Sequence, residues 1–124
     1  MSWPPSIGEP LPRAAEAVGI RKKLTDYSLN LAHERGGPKA LGFQRILGIT
    51  LEDADYLEVE IRAGILSKPV KSVRPAIPTG FNCLVEVPVR GLGPQYNRLI
   101  AVRTAWLISE PGAPPRMTTA FLKP

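Results

Sequence analysis

The sequence predicts an α+β domain in which two to three N-terminal helices pack on a C-terminal four-stranded antiparallel sheet. Two observations carry this. Between Arg21 and Ile65 apolar residues recur every three or four positions, the period of a helix face. From Pro69 onward the period falls to two, and clusters of glycine and proline separate the apolar runs, as hairpin-linked strands require. Helices first and paired strands afterwards put the helices on an antiparallel sheet. With 124 residues, 44% of them hydrophobic, the chain is large enough for one core of ordinary size but not for two.

Residues 1–12 read as an irregular N-terminal arm, because Pro4, Pro5, Pro10 and Pro12 each lack a backbone donor and little around them is apolar. Residues 13–124 then form the single α+β domain. Val18 and Ile20 alternate and predict a short strand. In RKKLTDYSLN, Leu24, Tyr27 and Ser28 fall at helical spacing, which predicts a helix of two turns ending near Asn30. A loop runs through Pro38. Leu41, Phe43, Ile46 and Leu47 then make an apolar stripe that Gly48 closes. Thr50, with Asp53 three residues on, is a capping box, so the next helix starts there. Its inner face is Leu51, Ala54, Leu57, Ile61 and Ile65, which leaves the acids Glu52, Asp53, Asp55, Glu58 and Glu60 turned to water. Catalytic carboxylates must converge on one substrate, whereas these diverge.

Four strands follow. VKSVRPAI is weak and broken by Pro75, so it belongs at a sheet edge or a bulge. FNCLVEVPVRG alternates Phe81, Cys83, Val85, Val87 and Val89 against mostly polar neighbours. NRLIAVRTAWLIS is the strongest strand, with Ile100, Val102, Thr104, Trp106 and Ile108 on one face. RMTTAFLK closes the chain, and GLGPQYN and EPGAPP make the turns between the last three.

Several chemistries are excluded by inventory. One histidine and one cysteine, Cys83 in a strand, cannot build a zinc site or an internal disulfide. No glycine-rich loop follows a strand and opens a helix, and no serine sits in a nucleophile elbow, so neither a dinucleotide fold nor a serine hydrolase is indicated. No run of about eighteen apolar residues occurs and the start has no secretion-signal pattern, which leads us to expect a soluble cytoplasmic protein without membrane contact. The formal charge is +5, and outside residues 52–60 there are 16 basic against 6 acidic side chains. A basic body with one acidic helix suits a polyanion such as RNA.

What remains for chemistry is the single histidine, His33, with basic and hydroxyl side chains. Imidazole exchanges protons near neutrality, and lysine or arginine stabilises charge developing on a phosphate. That combination fits metal-independent RNA cleavage, in which the adjacent 2′-hydroxyl attacks the phosphate. His33, Lys39, Arg103 and Arg116 are the candidates. Arg103 projects from the middle of the most apolar strand and must face a groove, a carboxylate or solvent.

The series Leu11-Pro12, KLTDYSLN (Lys23 to Asn30), His33, Gly36, Lys39, Ala40 and Phe43, then LGIT with the acidic helix, VRTAWLI (Val102 to Ile108) and PRMTTAFL (Pro115 to Leu122), resembles a small bacterial domain family named only as of unknown function. Members stand alone or form the C-terminal tips of polymorphic toxins, and they look like the barnase, colicin and RelE-like superfamily of ribonuclease toxins. The resemblance implies His33, Lys39, Arg103, Arg116 and Thr119 as site residues, with Tyr27 and Trp106 as packing residues. It implies no cofactor and no metal. The implied function is a ribonuclease-type toxin domain, with RNA as substrate and a small acidic antitoxin or immunity protein as partner. The alternative is a non-catalytic RNA- or protein-binding module of a toxin–antitoxin-like system. Two departures from the pattern are Phe121, where the family carries an aromatic hydroxyl, and Leu31, where it carries proline. Strict alternation sets Arg116 and Thr118 on one face and Met117, Thr119 and Phe121 on the other. Arg116 and Thr119 therefore converge only if the last strand is bulged near its start.

Overall fold

Helix α1 (Ile20–Lys23) runs on as a π-helical turn, Leu24–Ser28, closed by the Leu29 N–H donating to the Leu24 carbonyl at 2.8 Å. Helix α2 (Gly37–Gly42) carries Pro38 in its first turn, where a missing N–H costs nothing. It also widens into a π-turn, Phe43–Leu47, and stops at Gly48, whose φ of 66° is the left-handed conformation that glycine adopts freely. Helix α3 (Ala54–Ile65) is led in by a 3₁₀ turn, Leu51–Asp53, and the expected capping box is present: the Thr50 N–H donates to Asp53 Oδ2 at 2.9 Å. The computed structural model describes residues 3–122, so Met1 and Ser2 of the expected arm, and Lys123 and Pro124, lie outside the described residues.

Two expectations are corrected at the helices. Val18 and Ile20 do not form a strand. Val18 makes one parallel bridge to Arg116, and Gly19, at φ 80°, then turns the chain so that Ile20 opens α1. Leu51 does not join the buried stripe, being 49% exposed, because the 3₁₀ turn that carries it is out of register with the 3.6-residue period of α3. Ala54, Leu57, Ile61 and Ile65 are buried as expected. Of the acids, Glu58 pairs with Arg21 and Arg62 at 3.1 Å each, and Asp55 pairs with Arg21.

Strands β1 (Val70–Pro75), β2 (Phe81–Arg90), β3 (Leu99–Ile108) and β4 (Arg116–Leu122) form one antiparallel sheet in the order β1-β2-β3-β4. The α+β arrangement is therefore the one anticipated. Cys83, Val85, Val87 and Val89 of β2 and Val102, Thr104, Trp106 and Ile108 of β3 are buried beneath the helices. Burial pushes the Cys83 thiol up to about 11, so it is an inert part of this core. α3 crosses β2 so closely that a Cβ at Gly64 would overlap the Val87 side chain.

The core contains one polar chain. Trp106 Nε1 donates to Thr104 Oγ1 at 2.8 Å, and Thr104 Oγ1 donates to the Val85 carbonyl at 2.7 Å. Thr104→Val keeps shape but orphans the buried indole N–H, so we expect it to lose about 2 kcal/mol in urea unfolding. A loss below about 0.5 kcal/mol would mean that the chain contributes no net stability.

Each sheet edge is partly capped by other segments, which shortens the stretch open to edge-to-edge association. The irregular arm stitches to β1 through the Gly8 N–H to Val70 O and the Val70 N–H to Glu9 O, at 2.9 and 2.8 Å. Along β4, the Met117 N–H donates to Val18 O at 3.0 Å and the Ala120 N–H to Ser28 Oγ at 3.2 Å. The π-turn of α1 thus docks directly on the last strand.

Candidate functional site

The site begins with two glycines. Residues 31–36 turn sharply after α1, and Gly36 comes to rest on the backbone of Tyr27: a Cβ there would lie 2.7 Å from the Tyr27 carbonyl carbon and closer still to its oxygen. A Cβ on Gly37 would lie 2.8 Å from the Leu31 carbonyl oxygen. Only glycine permits this approach, and it brings the start of α2 against the π-turn of α1.

His33 fastens the turn. Its Nδ1 accepts the Arg35 N–H at 3.0 Å and the Gly36 N–H at 2.9 Å, and its ring meets the Tyr27 ring edge-on with centroids 4.8 Å apart. With Nδ1 accepting twice, the neutral ring carries its proton on Nε2, which has no hydrogen-bond partner among the described residues. His33 is therefore arranged as a hydrogen-bond donor through Nε2. In that tautomer Nε2 offers a proton and not a lone pair.

From the first turn of α2, Lys39 reaches to the edge of β4. Nζ donates to Tyr27 Oη and to Thr119 Oγ1, both at 2.9 Å, and lies 4.6 Å from the Tyr27 ring centroid and 5.2 Å from that of Phe121. Three distant segments meet on one ammonium group. It is half-buried between two aromatic faces, and among the described residues no carboxylate pairs with it. An ammonium has three N–H groups, so one is left for a further acceptor. Lys23, 5.8 Å from the Tyr27 ring centroid, adds positive charge. The hydrogen bond from Lys39 holds the Tyr27 phenol below the usual tyrosine range despite opposition from burial, with the charges of Lys39 and Arg35 adding to the effect.

Residues 10–124 match the sequence profile of a domain of unknown function, DUF6883. The chain belongs to that family. No curated protein and no solved structure matches it.

Within this DUF6883 domain, the bulge required for Arg116 and Thr119 to share a face is present. The pairing of β3 with β4 shifts between Ala105 and Trp106: Met117 opposes Trp106, Thr119 opposes Ala105, and Thr118 is the extra residue. Arg116 opposes Leu107 and Phe121 opposes Arg103, so Arg116, Thr119, Phe121 and Arg103 all point to the face away from Trp106. The five sequence candidates do not, however, form one cluster. Lys39 and Thr119 are in contact, and His33 joins them through the Tyr27 ring. Arg103 is next to Phe121 in register, and its Nε is tied to Glu86 Oε2 at 3.2 Å. Arg116 stands at the start of β4 beside Gly19, and no hydrogen bond joins it to the lysine among the described residues.

Tyr27, expected as a packing residue, packs edge-on against the His33 ring and in addition accepts a hydrogen bond from Lys39 through its hydroxyl. It lies in the π-turn that follows α1 and docks on β4 through Ser28. A cleft of about 590 Å³ bordered by Leu31, Ala40 and Leu51 lies nearby, yet neither His33, Lys39 nor Thr119 lines it. Among the described residues no three His, Cys, Asp or Glu side chains are grouped as a metal site requires, and no helix is long and apolar enough to cross a membrane.

Proposed function

We propose that this DUF6883 domain is a ribonuclease-type toxin domain that cleaves RNA by metal-independent transesterification and leaves a 2′,3′-cyclic phosphate. The observation that carries the reading is Lys39: a half-buried ammonium gripped by Tyr27 Oη and Thr119 Oγ1 at 2.9 Å, with no carboxylate partner among the described residues and one N–H to spare. A group so placed is suited to a phosphate oxygen, and its attraction strengthens as charge grows on that phosphate in the transition state. His33 Nε2–H would donate to a second oxygen and Thr119 would hold the lysine in position. Arg103 and Arg116, on the same sheet face, would engage neighbouring phosphates along the strand. A small acidic antitoxin or immunity protein would neutralise the domain by covering this basic patch in the cytoplasm.

A substitution separates the turn-forming nitrogen of His33 from the outward one. His33→Asn retains an acceptor at the position of Nδ1 but has nothing in place of Nε2, while His33→Ala loses both. We expect His33→Asn to cut RNA cleavage about 100-fold at little cost in stability, and His33→Ala to lose about 1 kcal/mol as well. The check is inducible expression beside wild type, with mapping of RNA ends and cyclic-phosphate detection. Cleavage and growth arrest that survive both substitutions would sink the assigned role of His33. Salt-sensitive RNA binding by wild type with no cut ends would instead favour a non-catalytic binding module, a reading to which Phe121, lacking a hydroxyl, lends support.

A further inference from the structure

With Nε2 of His33 already protonated in the neutral ring, the site still needs a group that can take a proton from the attacking hydroxyl. Among the described residues, only one ionisable side chain in contact with Lys39 can do so. Tyr27 Oη lies 2.9 Å from Nζ, and the other groups facing the phenol are Lys23 from α1, Arg35 and His33 from the turn, and Thr119 from β4. None is a carboxylate, so every charge around the phenol favours its ionised form.

We propose that Tyr27 and Lys39 are the proton-transfer pair of this site, with Tyr27 Oη taking the proton of the 2′-hydroxyl and Lys39 Nζ giving one to the departing 5′-oxygen. This rests on the ribonuclease reading. The step starts from Tyr27 as phenolate and Lys39 as ammonium. As the 2′-oxygen bonds to phosphorus, its proton passes to Tyr27. The bond from phosphorus to the 5′-oxygen breaks, that oxygen leaves with the electron pair, and it receives a proton from Lys39. Cyclic phosphate and a free 5′-hydroxyl result. Tyr27 is then a neutral phenol hydrogen-bonded to a neutral amine, and transfer of one proton along that 2.9 Å bond restores phenolate and ammonium. The pair resets itself without any other group.

The rate should therefore rise with pH as the phenol ionises. Tyrosinate absorbance gives a reading independent of RNA. Tyr27 should ionise at lower pH than Tyr56, whose phenol burial pushes up, and Lys39→Met should move Tyr27 upward. Tyr27→Phe, which keeps the ring beside His33, should lower single-turnover cleavage about 100-fold or more and abolish the rising limb of the pH profile, whereas His33→Asn should retain that limb. If wild type cleaves RNA and folded Tyr27→Phe cleaves equally well with the same profile, the proton-transfer pair is wrong and the ribonuclease reading stands. If folded wild type cleaves no RNA at any pH, the ribonuclease reading fails and the pair goes with it. Titration of Tyr27 above Tyr56 would also overturn the pair.

Discussion

Replacing Gly36 with alanine is expected to destabilise the domain by about 3 kcal/mol and to dismantle the site, although Gly36 carries no functional group. Its φ of −79° is open to any residue, so the requirement is for space and not for a left-handed backbone. The added methyl would overlap the carbonyl of Tyr27, and main chain, unlike a flexible side-chain tip, cannot rotate away. Either the 31–36 turn or the π-turn of α1 must then shift, and each holds part of the contact between Tyr27 and Lys39. Gly42 is the control. It lies in α2 with nothing within 4 Å of a built Cβ, so Gly42→Ala should stabilise by about 0.5–1 kcal/mol through helix propensity. Urea unfolding of the two variants reads both effects, and equal midpoints would show that the close approach at Gly36 has no energetic consequence.

Lys39→Met is expected to cause the largest loss of activity, about 1,000-fold in RNA cleavage, while stability stays within about 1 kcal/mol of wild type. Methionine preserves an unbranched apolar stem between the Tyr27 and Phe121 rings and makes favourable sulfur–aromatic contacts, so packing is largely retained. The charge and three donors vanish. Arginine would not rescue, because a planar guanidinium cannot fit the position of a compact ammonium bonded at 2.9 Å to two hydroxyls. Single-turnover cleavage with thermal unfolding of the same preparations separates the two effects. Activity within tenfold of wild type would remove Lys39 from the centre of the site.

The helical stripes of residues 21–65, the period-two strands and the capping box at Thr50 were legible because each rests on local spacing, and local spacing is what side-chain direction obeys. The strand expected at Val18 and Ile20 failed for a related reason. Two alternating apolar residues are too few to outweigh a glycine at positive φ between them. Leu51 shows the same limit, since a 3₁₀ turn of three residues is invisible to a 3.6-residue template yet rotates its side chains off the stripe.

The candidate site divides along the same line. Alternation alone correctly showed that Arg116 and Thr119 needed a bulge to share a face, but whether Thr118 would be looped out is decided by how β4 pairs with β3 and by what covers its edge. Arg103 was recognisable as a charge that needed a partner, while the choice of Glu86 came from cross-strand register. Tyr27 was legible as a packing residue, but the bond its hydroxyl accepts from Lys39 joins two separate helical segments and has no local sequence signature.

By itself the sequence determined the order of helices and strands, the apolar faces that bury them and the inert position of Cys83, and it offered His33, Lys39, Arg103 and Arg116 as candidates for chemistry, to which the family resemblance added Thr119. Only the tertiary structure decided that a phenol from α1, an ammonium from α2 and a hydroxyl from β4 meet within hydrogen-bonding distance. It also decided that His33 offers Nε2 and withholds Nδ1. The physical reason is that periodicity reports which face of an element is buried, whereas a hydrogen bond between residues 80 positions apart depends on where three elements stop, widen or bulge. Those events are set by packing across the sheet edge, where Gly36 lies against Tyr27 and Ser28 against Ala120.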